Sequence, residues 1–309
     1  MDIRKEINEI KGFKNLELLA HQVVEGFISG LHKSPFHGFS AEFAEHRLYN
    51  QGESTKHIDW KLYAKTDRLY TKRYQEETNL RCHLIIDNSS SMHYPSFKNF
   101  NINQLNKISF SALAAAAIMN LLKRQRDAIG LSIYSDHYDY YSNEKGSERH
   151  HQMLLAKLNE ALVNKRDQII TKTYTYLHEI AEKIKRRSMV FLFTDMFQSD
   201  QEEAKLFEAL QHLKYNKHEV ILFHTYDKEK EIEFNFNNRP KRFVDLETGE
   251  HLNLYADNVR QDYKEAVQKY FNELKIKCGQ YRIKYVPVNI NEDFSAILTS
   301  YLVERQKFK

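Results

Sequence analysis

The stretch Cys82-His83-Leu84-Ile85-Ile86-Asp87-Asn88-Ser89-Ser90-Ser91-Met92 joins an apolar strand directly to an Asp-x-Ser-x-Ser turn. The residues from His83 to Ile86 show no alternation, which predicts a strand covered on both faces. Such strands are typical of open, mostly parallel sheets, in which ligands bind beyond the carboxyl ends of the strands. The sequence therefore places Asp87 and its serines at a ligand-binding edge of a sheet.

The side chains of Asp87, Ser89 and Ser91 are spaced so that a carboxylate and two hydroxyls can turn to the same side. One charged oxygen with two neutral oxygens suits a hard cation. Serine-rich turns also cap helices, so an ordinary strand-to-helix turn is the competing interpretation. The apolar run 188–194 ends in a second aspartate, Asp195, and parallel strands would bring both carboxylates to one edge. This repetition favours a cation site.

Apolar strands and amphipathic helices alternate through most of the chain. Helices are predicted over 3–32, 104–125, 148–164, 174–186, 200–214, 258–277 and 292–306, and later strands over 128–134, 138–142, 188–195, 219–225 and 282–288. This alternation predicts a doubly wound α/β fold with a mostly parallel sheet. Residues 230–256 are expected to add short antiparallel strands, either as a partner-binding edge or as an extension that completes the core, with the second favoured.

Length and composition restrict the class of protein. A chain of 309 residues is long for one core, so we expect an N-terminal helical arm (1–77) and a main domain (78–309). A net charge of +4 is too small to require nucleic acid or an acidic membrane as a partner. Cys82 and Cys278 lack metal-binding spacing, and the sequence has no apolar signal core and no membrane-spanning run. Together these features indicate a cytoplasmic protein.

Familiar catalytic motifs are missing from the sequence. It has no phosphate-binding loop, no dinucleotide fingerprint, no Gly-x-Ser-x-Gly turn and no His-Glu-x-x-His helix. A metal-bound water could hydrolyse a phosphoester, but such sites usually carry more carboxylates and histidines than two aspartates. We therefore expect a non-catalytic protein, with a metal-dependent phosphoester hydrolase as the less favoured alternative.

Charged and aromatic residues are interleaved over residues 42–77. The basic residues, tyrosines and tryptophan of 56–74 could grip phosphates and stack bases, which would make the chain a nucleic-acid-binding protein. Acidic residues stand among the basic ones throughout, so packing of this block through ion pairs is the favoured interpretation.

Several separated motifs carry a resemblance to a known family. They are Glu42-Phe43-x-Glu45-x-Arg47-x-Tyr49-x-x-Gly52, Ile58-Asp59-Trp60, Glu76-Glu77, the stretch from Arg242 to Glu250, and the closing Tyr301-Leu302-x-x-Arg305. In this order they resemble the bacterial domain-of-unknown-function family 58, in which the first block precedes a von Willebrand factor A-like domain. Glu53 departs from the aspartate that is more common there.

The resemblance implies a metal-ion-dependent adhesion site of the von Willebrand factor A type. The matching ligands are Asp87, Ser89, Ser91, Thr171 and Asp195, with Thr173 as the second choice for the threonine. A helix N-cap is an equally good role for either threonine. A shell with so few formal charges favours Mg²⁺ or Mn²⁺, with Ca²⁺ as a further candidate, and leaves the ion able to accept a carboxylate from another molecule.

The resemblance also implies a class of partner. Proteins of this kind are commonly associated with MoxR-type AAA+ ATPases, which are thought to act as chaperones in maturing or assembling other proteins. We therefore expect a Mg²⁺-dependent adaptor that binds such an ATPase, or a client protein that presents an acidic side chain. Arg47, Asp59 and Trp60 of the first block are expected to contribute to partner binding.

Overall fold

The chain forms two compact units. The computed structural model describes residues 16–31, 45–48, 60–73, 80–96, 104–163, 173–196, 200–237 and 239–306. One unit comprises residues 30–79, and the other comprises Met1–Ser29 together with Leu80–Lys309. The sequence predicts an arm over 1–77, whereas the structure groups most of the first helix, α1 (Leu16–Leu31), with the larger unit. An ion pair of 2.5 Å between Glu25 of α1 and Arg124 contributes to this grouping.

The smaller unit contains a short hairpin and one helix. Strands β1 (Glu45–Leu48) and β2 (Tyr70–Arg73) pair antiparallel. The helix α2 (Trp60–Thr66) lies between them in the sequence.

A six-stranded sheet forms the centre of the larger unit. The strands of this unit are β3 (Arg81–Asp87), β4 (Ala128–Tyr134), β5 (Tyr138–Lys145), β6 (Met189–Thr194), β7 (Glu219–Tyr226), β8 (Pro240–Val244), β9 (His251–Tyr255) and β10 (Lys284–Asn289). The sheet has the order β10-β7-β6-β3-β4-β5, and its strands are parallel except for the edge strand β5. This confirms the predicted doubly wound, mostly parallel α/β fold, and it makes β3 and β6 direct neighbours.

Helices cover the sheet on both faces. They are α3 (Lys107–Arg124), α4 (Glu148–Val163), α5 (Thr173–Lys183), α6 (Asp200–Tyr215), α7 (Ala256–Gln280) and α8 (Ser295–Gln306). Leu192 of β6 joins the buried cluster that α5, α6 and α7 share, whereas its neighbour Phe191 contacts Tyr301 of α8 on the opposite face. Successive strand residues point to opposite faces, so both layers pack on the same strand. No helix among the described residues is long and apolar enough to cross a membrane.

The helix α3 follows the Asp-x-Ser-x-Ser loop and is the most deeply buried helix of the larger unit. Asn106 caps it, because the Asn106 side chain accepts a hydrogen bond of 2.9 Å from the backbone N–H of Ser109. All residues from Lys107 to Leu122 are buried. The small alanine side chains let this helix lie close to the sheet, and its first residue is a lysine.

The segment between β7 and α7 differs in part from its predicted form. Alternating apolar residues over 232–236 predict a strand, but a π-helical turn (Lys228–Ile232) ends at Ile232 and residues 233–236 form neither helix nor strand. The aromatic ring of Phe234 stacks on that of Phe243 with centroids 5.2 Å apart, so the alternation reflects ring packing. β8 and β9 form the predicted antiparallel hairpin, called here the 240–255 hairpin. Among the described strands, it pairs within itself and not with the central sheet.

Candidate functional site

Asp87 ends β3 at the carboxyl edge of the sheet and is only 3% exposed. The backbone N–H of Ser89 donates to Asp87 Oδ1 at 2.9 Å, and the Thr194 hydroxyl donates to Oδ2 at 2.8 Å. These two hydrogen bonds fix the orientation of the carboxylate. Because a carboxylate oxygen can accept more than one contact, both oxygens retain the capacity to bind a cation.

The loop after Asp87 brings its hydroxyls together. The Oγ atoms of Ser89 and Ser91 lie 3.0 Å apart. The Ser91 hydroxyl also donates to Glu247 Oε1 at 3.2 Å. After burial, the negative charge of Asp195 is the next cause that raises the pKa of Asp87. The structure therefore gathers four of the five predicted ligands at one edge.

Asp195 follows β6 and contacts a buried lysine that the sequence did not single out. Lys107 is 1% exposed, and its Nζ donates to Asp195 Oδ2 at 2.8 Å and to Glu231 Oε1 at 2.6 Å. Burial favours the neutral amine, but the two carboxylates outweigh it and raise the pKa of Lys107, so the ammonium stays charged. Burial would also raise the pKa of Asp195, but the charge of Lys107 holds it below its usual value.

The turn after Asp195 is conformationally strained. Met196 is buried and has a φ of 56°, in the left-handed region that residues with a side chain rarely adopt. Its backbone N–H donates to Thr194 Oγ1 at 3.3 Å, and its carbonyl accepts a hydrogen bond from the Tyr270 hydroxyl. These contacts hold the turn and direct the Asp195 carboxylate toward the Asp87 loop.

Glu247, at the tip of the 240–255 hairpin, adds a third carboxyl group to this edge. Burial, and then the charge of Asp195, raises the pKa of Asp87 to about 6. Burial, and then the charges of Asp195 and Asp87, raises the pKa of Glu247 to about 8. Within the described part of the chain, neither Asp87 nor Glu247 forms an ion pair with Lys, Arg or His. A bound cation would relieve the repulsion among these groups.

The predicted threonine ligand, Thr171, lies outside the described residues. Thr173, the second choice, begins α5 and is 1% exposed. It lies near the hydroxyl of Tyr134, whose pKa is raised by burial and then by the charge of Asp87. This hydroxyl makes no well-formed hydrogen bond with any described residue, so the site contains a polar atom with unused bonding capacity.

The donor atoms at this edge are mostly oxygens of low formal charge. No group of three or more His, Cys, Asp or Glu side chains among the described residues is arranged to hold a metal ion. The available donors are the Asp87 carboxylate, the hydroxyls of Ser89 and Ser91, and the Asp195 oxygen that does not contact Lys107. Hard oxygen donors of this kind fit Mg²⁺ or Mn²⁺. Because Lys107 already offsets part of the negative charge, we expect the ion to bind with modest affinity.

Two of the three predicted partner-binding residues, Arg47 and Trp60, are described by the structure and belong to the smaller unit. Arg47 lies in β1, opposite Thr71 of β2. Trp60 begins α2, is 62% exposed and meets Tyr63 edge-to-face at 6.2 Å. Asp59 lies outside the described residues. The exposed ring of Trp60 is accessible for contact with another molecule.

Three residues of the site were missed by the sequence reasoning, namely Lys107, Glu231 and Glu247. Lys107 had a local signal, because a lysine in the first turn of an otherwise apolar helix is unfavourable next to the positive end of the helix dipole. Glu247 falls in the stretch 242–250 that resembles the family pattern, but nothing local connected it with Ser91. Glu231 carried no sequence signal.

Two mycobacterial proteins match part of the chain. The uncharacterized protein Rv1480 of Mycobacterium tuberculosis is 28% identical over 119 residues, which is 38% of this chain and 36% of that protein. The uncharacterized protein Mb1516 of Mycobacterium bovis matches to the same extent. The matched stretch thus spans 36% of the length of these curated relatives.

Two solved structures share a low similarity with this chain. The conserved hypothetical protein BatB from Bacteroides thetaiotaomicron has a TM-score of 0.45 at 12% identity, covering 74% of this chain and 100% of that chain. An aerotolerance-related membrane protein from Bacteroides fragilis has a TM-score of 0.40 at 12% identity, covering 71% of this chain and 97% of that chain.

The family match extends from the smaller unit across the whole candidate site. The family described as "Protein of unknown function DUF58" matches residues 45–272, more than half of the chain. This range includes the Asp87 loop, Lys107, Asp195 and the 240–255 hairpin. The resemblance seen in the sequence motifs is therefore confirmed, and the chain belongs to the DUF58 family.

Proposed function

We propose that this chain is a non-catalytic, metal-dependent protein-binding adaptor. The observation that carries the proposal is the meeting of Asp87, Ser89, Ser91 and Asp195 at the carboxyl ends of two neighbouring parallel strands. Ligands commonly bind at this edge of open α/β sheets. A set of oxygen ligands with few formal charges suits Mg²⁺ or Mn²⁺. Thr171 would add one more hydroxyl ligand to this set.

The charge balance of the site supports binding of an acidic partner. Lys107 offsets the charge of Asp195 and Glu231, so the protein neutralises a divalent ion only in part. When bound, the ion would supply a Lewis-acidic position that accepts an oxygen ligand. The acidic side chain of a partner protein would be that ligand, and the contact would be lost on removal of the metal.

The proposed partner is a MoxR-type AAA+ ATPase or one of its client proteins, and the proposed location is the cytoplasm. Family resemblance supports the class of partner, and the exposed ring of Trp60 gives the smaller unit a surface for a second contact. No specific observation on the described residues favours nucleic-acid binding or phosphoester hydrolysis over this function.

Two measurements on the purified protein test the proposal. Isothermal titration calorimetry measures Mn²⁺ binding to the wild type and to Asp87→Ala, Ser91→Ala and Asp262→Ala. A pull-down with a purified MoxR-type ATPase from the same genome is then run in Mg²⁺ and in EDTA. We expect Mn²⁺ binding and Mg²⁺-dependent capture with the wild type, and loss of both with Asp87→Ala and Ser91→Ala.

Asp262 is the matched control, because it is an exposed aspartate of α7 outside the candidate site. Circular dichroism establishes that each variant is folded. If the wild type and Asp87→Ala bind Mn²⁺ equally, or if capture persists unchanged in EDTA, the metal-dependent function is wrong.

A further inference from the structure

The 240–255 hairpin places a carboxyl group where the proposed function expects a partner's acidic side chain. Glu247 Oε1 accepts a hydrogen bond of 3.2 Å from the Ser91 hydroxyl, one of the proposed ligands. Ser91 and Glu247 are 156 residues apart in sequence, so this contact is made by the fold and not by local geometry. The side chain of Glu247 is half-buried, whereas that of Glu250 on the same hairpin is exposed.

The turn of the hairpin is built to present Glu247. Asp245 Oδ1 accepts hydrogen bonds from the backbone N–H groups of Glu247 at 2.8 Å and of Thr248 at 3.1 Å. Gly249 has a φ of 76°, a conformation that glycine adopts without strain, and its N–H donates to the Asp245 carbonyl at 2.9 Å. This network closes the turn with the Glu247 side chain directed at the Asp87 loop.

Aromatic packing and one arginine hold the base of the hairpin in place. Phe243 of β8 stacks on Phe234, and Phe234 in turn packs against Tyr263 of α7 with ring centroids 4.5 Å apart. Arg260 of α7 donates to the carbonyls of Phe234 at 3.2 Å and Phe236 at 2.8 Å. The position of Glu247 over the loop is therefore anchored to the body of the larger unit.

A carboxyl group in this place is unfavourable without a cation. Glu247 lies against Ser91 of the loop that also holds Asp87, and the ammonium of Lys107 is already bound to Asp195 and Glu231. Ionised carboxylates gathered around one loop repel each other unless a cation lies among them. A divalent ion held by Asp87, Ser89 and Ser91 would turn the same position into a favourable one.

We propose that the chain itself supplies a carboxylate ligand of the metal, Glu247. This side chain occupies the position that a partner's carboxylate would otherwise take. This inference rests on the proposed metal-dependent function. It makes the 240–255 hairpin an internal competitor: the partner binds only after its carboxylate has replaced that of Glu247. Removing the Glu247 charge weakens the binding of the metal and at the same time frees its remaining coordination position.

Mn²⁺ binding to Glu247→Gln, compared with Glu250→Gln, tests the assignment. Glutamine keeps the size of the side chain and the acceptor for Ser91 but removes the charge. Isothermal titration calorimetry should show an Mn²⁺ affinity about 10–100-fold weaker for Glu247→Gln, because even the outer partners of metal ligands contribute that much. Glu250→Gln should bind Mn²⁺ like the wild type.

Hydrogen–deuterium exchange gives an independent readout on the hairpin. Mn²⁺ should slow amide exchange over residues 240–255 in the wild type and in Glu250→Gln, and should leave it unchanged in Glu247→Gln. The inference is overturned if Glu247→Gln binds Mn²⁺ with wild-type affinity and Mn²⁺ does not slow hairpin exchange in the wild type. If Asp87→Ala has lost Mn²⁺ binding in the same experiments, the proposed function stands and only the role of Glu247 is refuted. If Asp87→Ala binds Mn²⁺ like the wild type, the proposed function fails, and the inference fails with it.

Discussion

Replacing the buried lysine by a residue of similar size and no charge should destabilise the protein strongly. Lys107 is 1% exposed and contacts Asp195 at 2.8 Å and Glu231 at 2.6 Å. Lys107→Met fills the same space but leaves two carboxylates in a poorly hydrated region without their cation. Breaking a buried ion pair by removal of one partner costs about 3–5 kcal/mol of the free energy of unfolding. For a unit of this size the midpoint of thermal unfolding should fall by roughly 6–20 °C.

The pH dependence of this loss follows from the signs of the pKa shifts. In the wild type, Lys107 holds the pKa of Asp195 below its ordinary value, so the stability that Asp195 contributes is present at neutral pH and disappears only in acid. In Lys107→Met the cation that opposes the effect of burial is gone, so the pKa of Asp195 and of Glu231 should both rise. Both groups then take up protons at a higher pH than in the wild type, which relieves the uncompensated charge. The difference in stability between wild type and variant should therefore be larger at pH 7.5 than at pH 5.

Urea unfolding at these two pH values measures the effect, and a second substitution isolates its cause. Adding Glu231→Gln to Lys107→Met removes one of the unpaired charges and should recover part of the lost free energy of unfolding. A loss below about 1 kcal/mol at pH 7.5 would match an exposed ion pair instead of a buried one. That result, or a loss that does not shrink at pH 5, would refute the reasoning.

Three further predictions concern packing, acid stability and the choice of threonine. Gly130→Ala should lower the free energy of unfolding by about 1–3 kcal/mol, because the new methyl group would lie 2.5 Å from Nδ1 of the buried His83. Gly279→Ala meets open space and should stabilise its helix by up to about 1 kcal/mol, and urea unfolding compares the two variants. Burial lowers the pKa of His218 to about 4, so the wild type should lose stability as the pH falls from 6.5 to 4, and urea unfolding across this range should show a smaller loss for His218→Asn. Thr171→Val should weaken Mn²⁺ binding in calorimetry while Thr173→Val should not, and the reverse pattern would transfer the ligand role to Thr173.

The sequence was sufficient to predict the sheet and the residues that end its central strands. Asp87 and Asp195 each follow an uninterrupted apolar run, and parallel strands must bring such ends to one edge. Ser89 and Ser91 could be predicted with Asp87, because they follow it within the same short loop. These predictions depended on patterns that are local in sequence, together with one general rule of topology.

The rest of the site depends on contacts that no local pattern encodes. Lys107 contacts Asp195 across 88 residues and Glu231 across 124 residues. The segment over 232–236 was predicted as a strand because its apolar residues alternate, yet its aromatic rings pack on the hairpin and α7 without a backbone ladder. Residue Phe234 itself has a φ of 48°, which no extended strand allows. The alternation shows which side chains of this segment are apolar, but tertiary packing determines its backbone conformation.

The separateness of the 240–255 hairpin has a thermodynamic consequence. β8 and β9 pair with each other, and among the described strands neither shares a backbone hydrogen-bond ladder with the central sheet. Leu252 is 62% exposed and Val244 is 48% exposed, so beyond the packed base at Phe243 the hairpin buries little apolar surface. Segments with few buried contacts open locally at a free energy far below that of global unfolding. The tip that carries Glu247 can therefore lift away from Ser91 while the base of the hairpin and the six-stranded sheet stay intact.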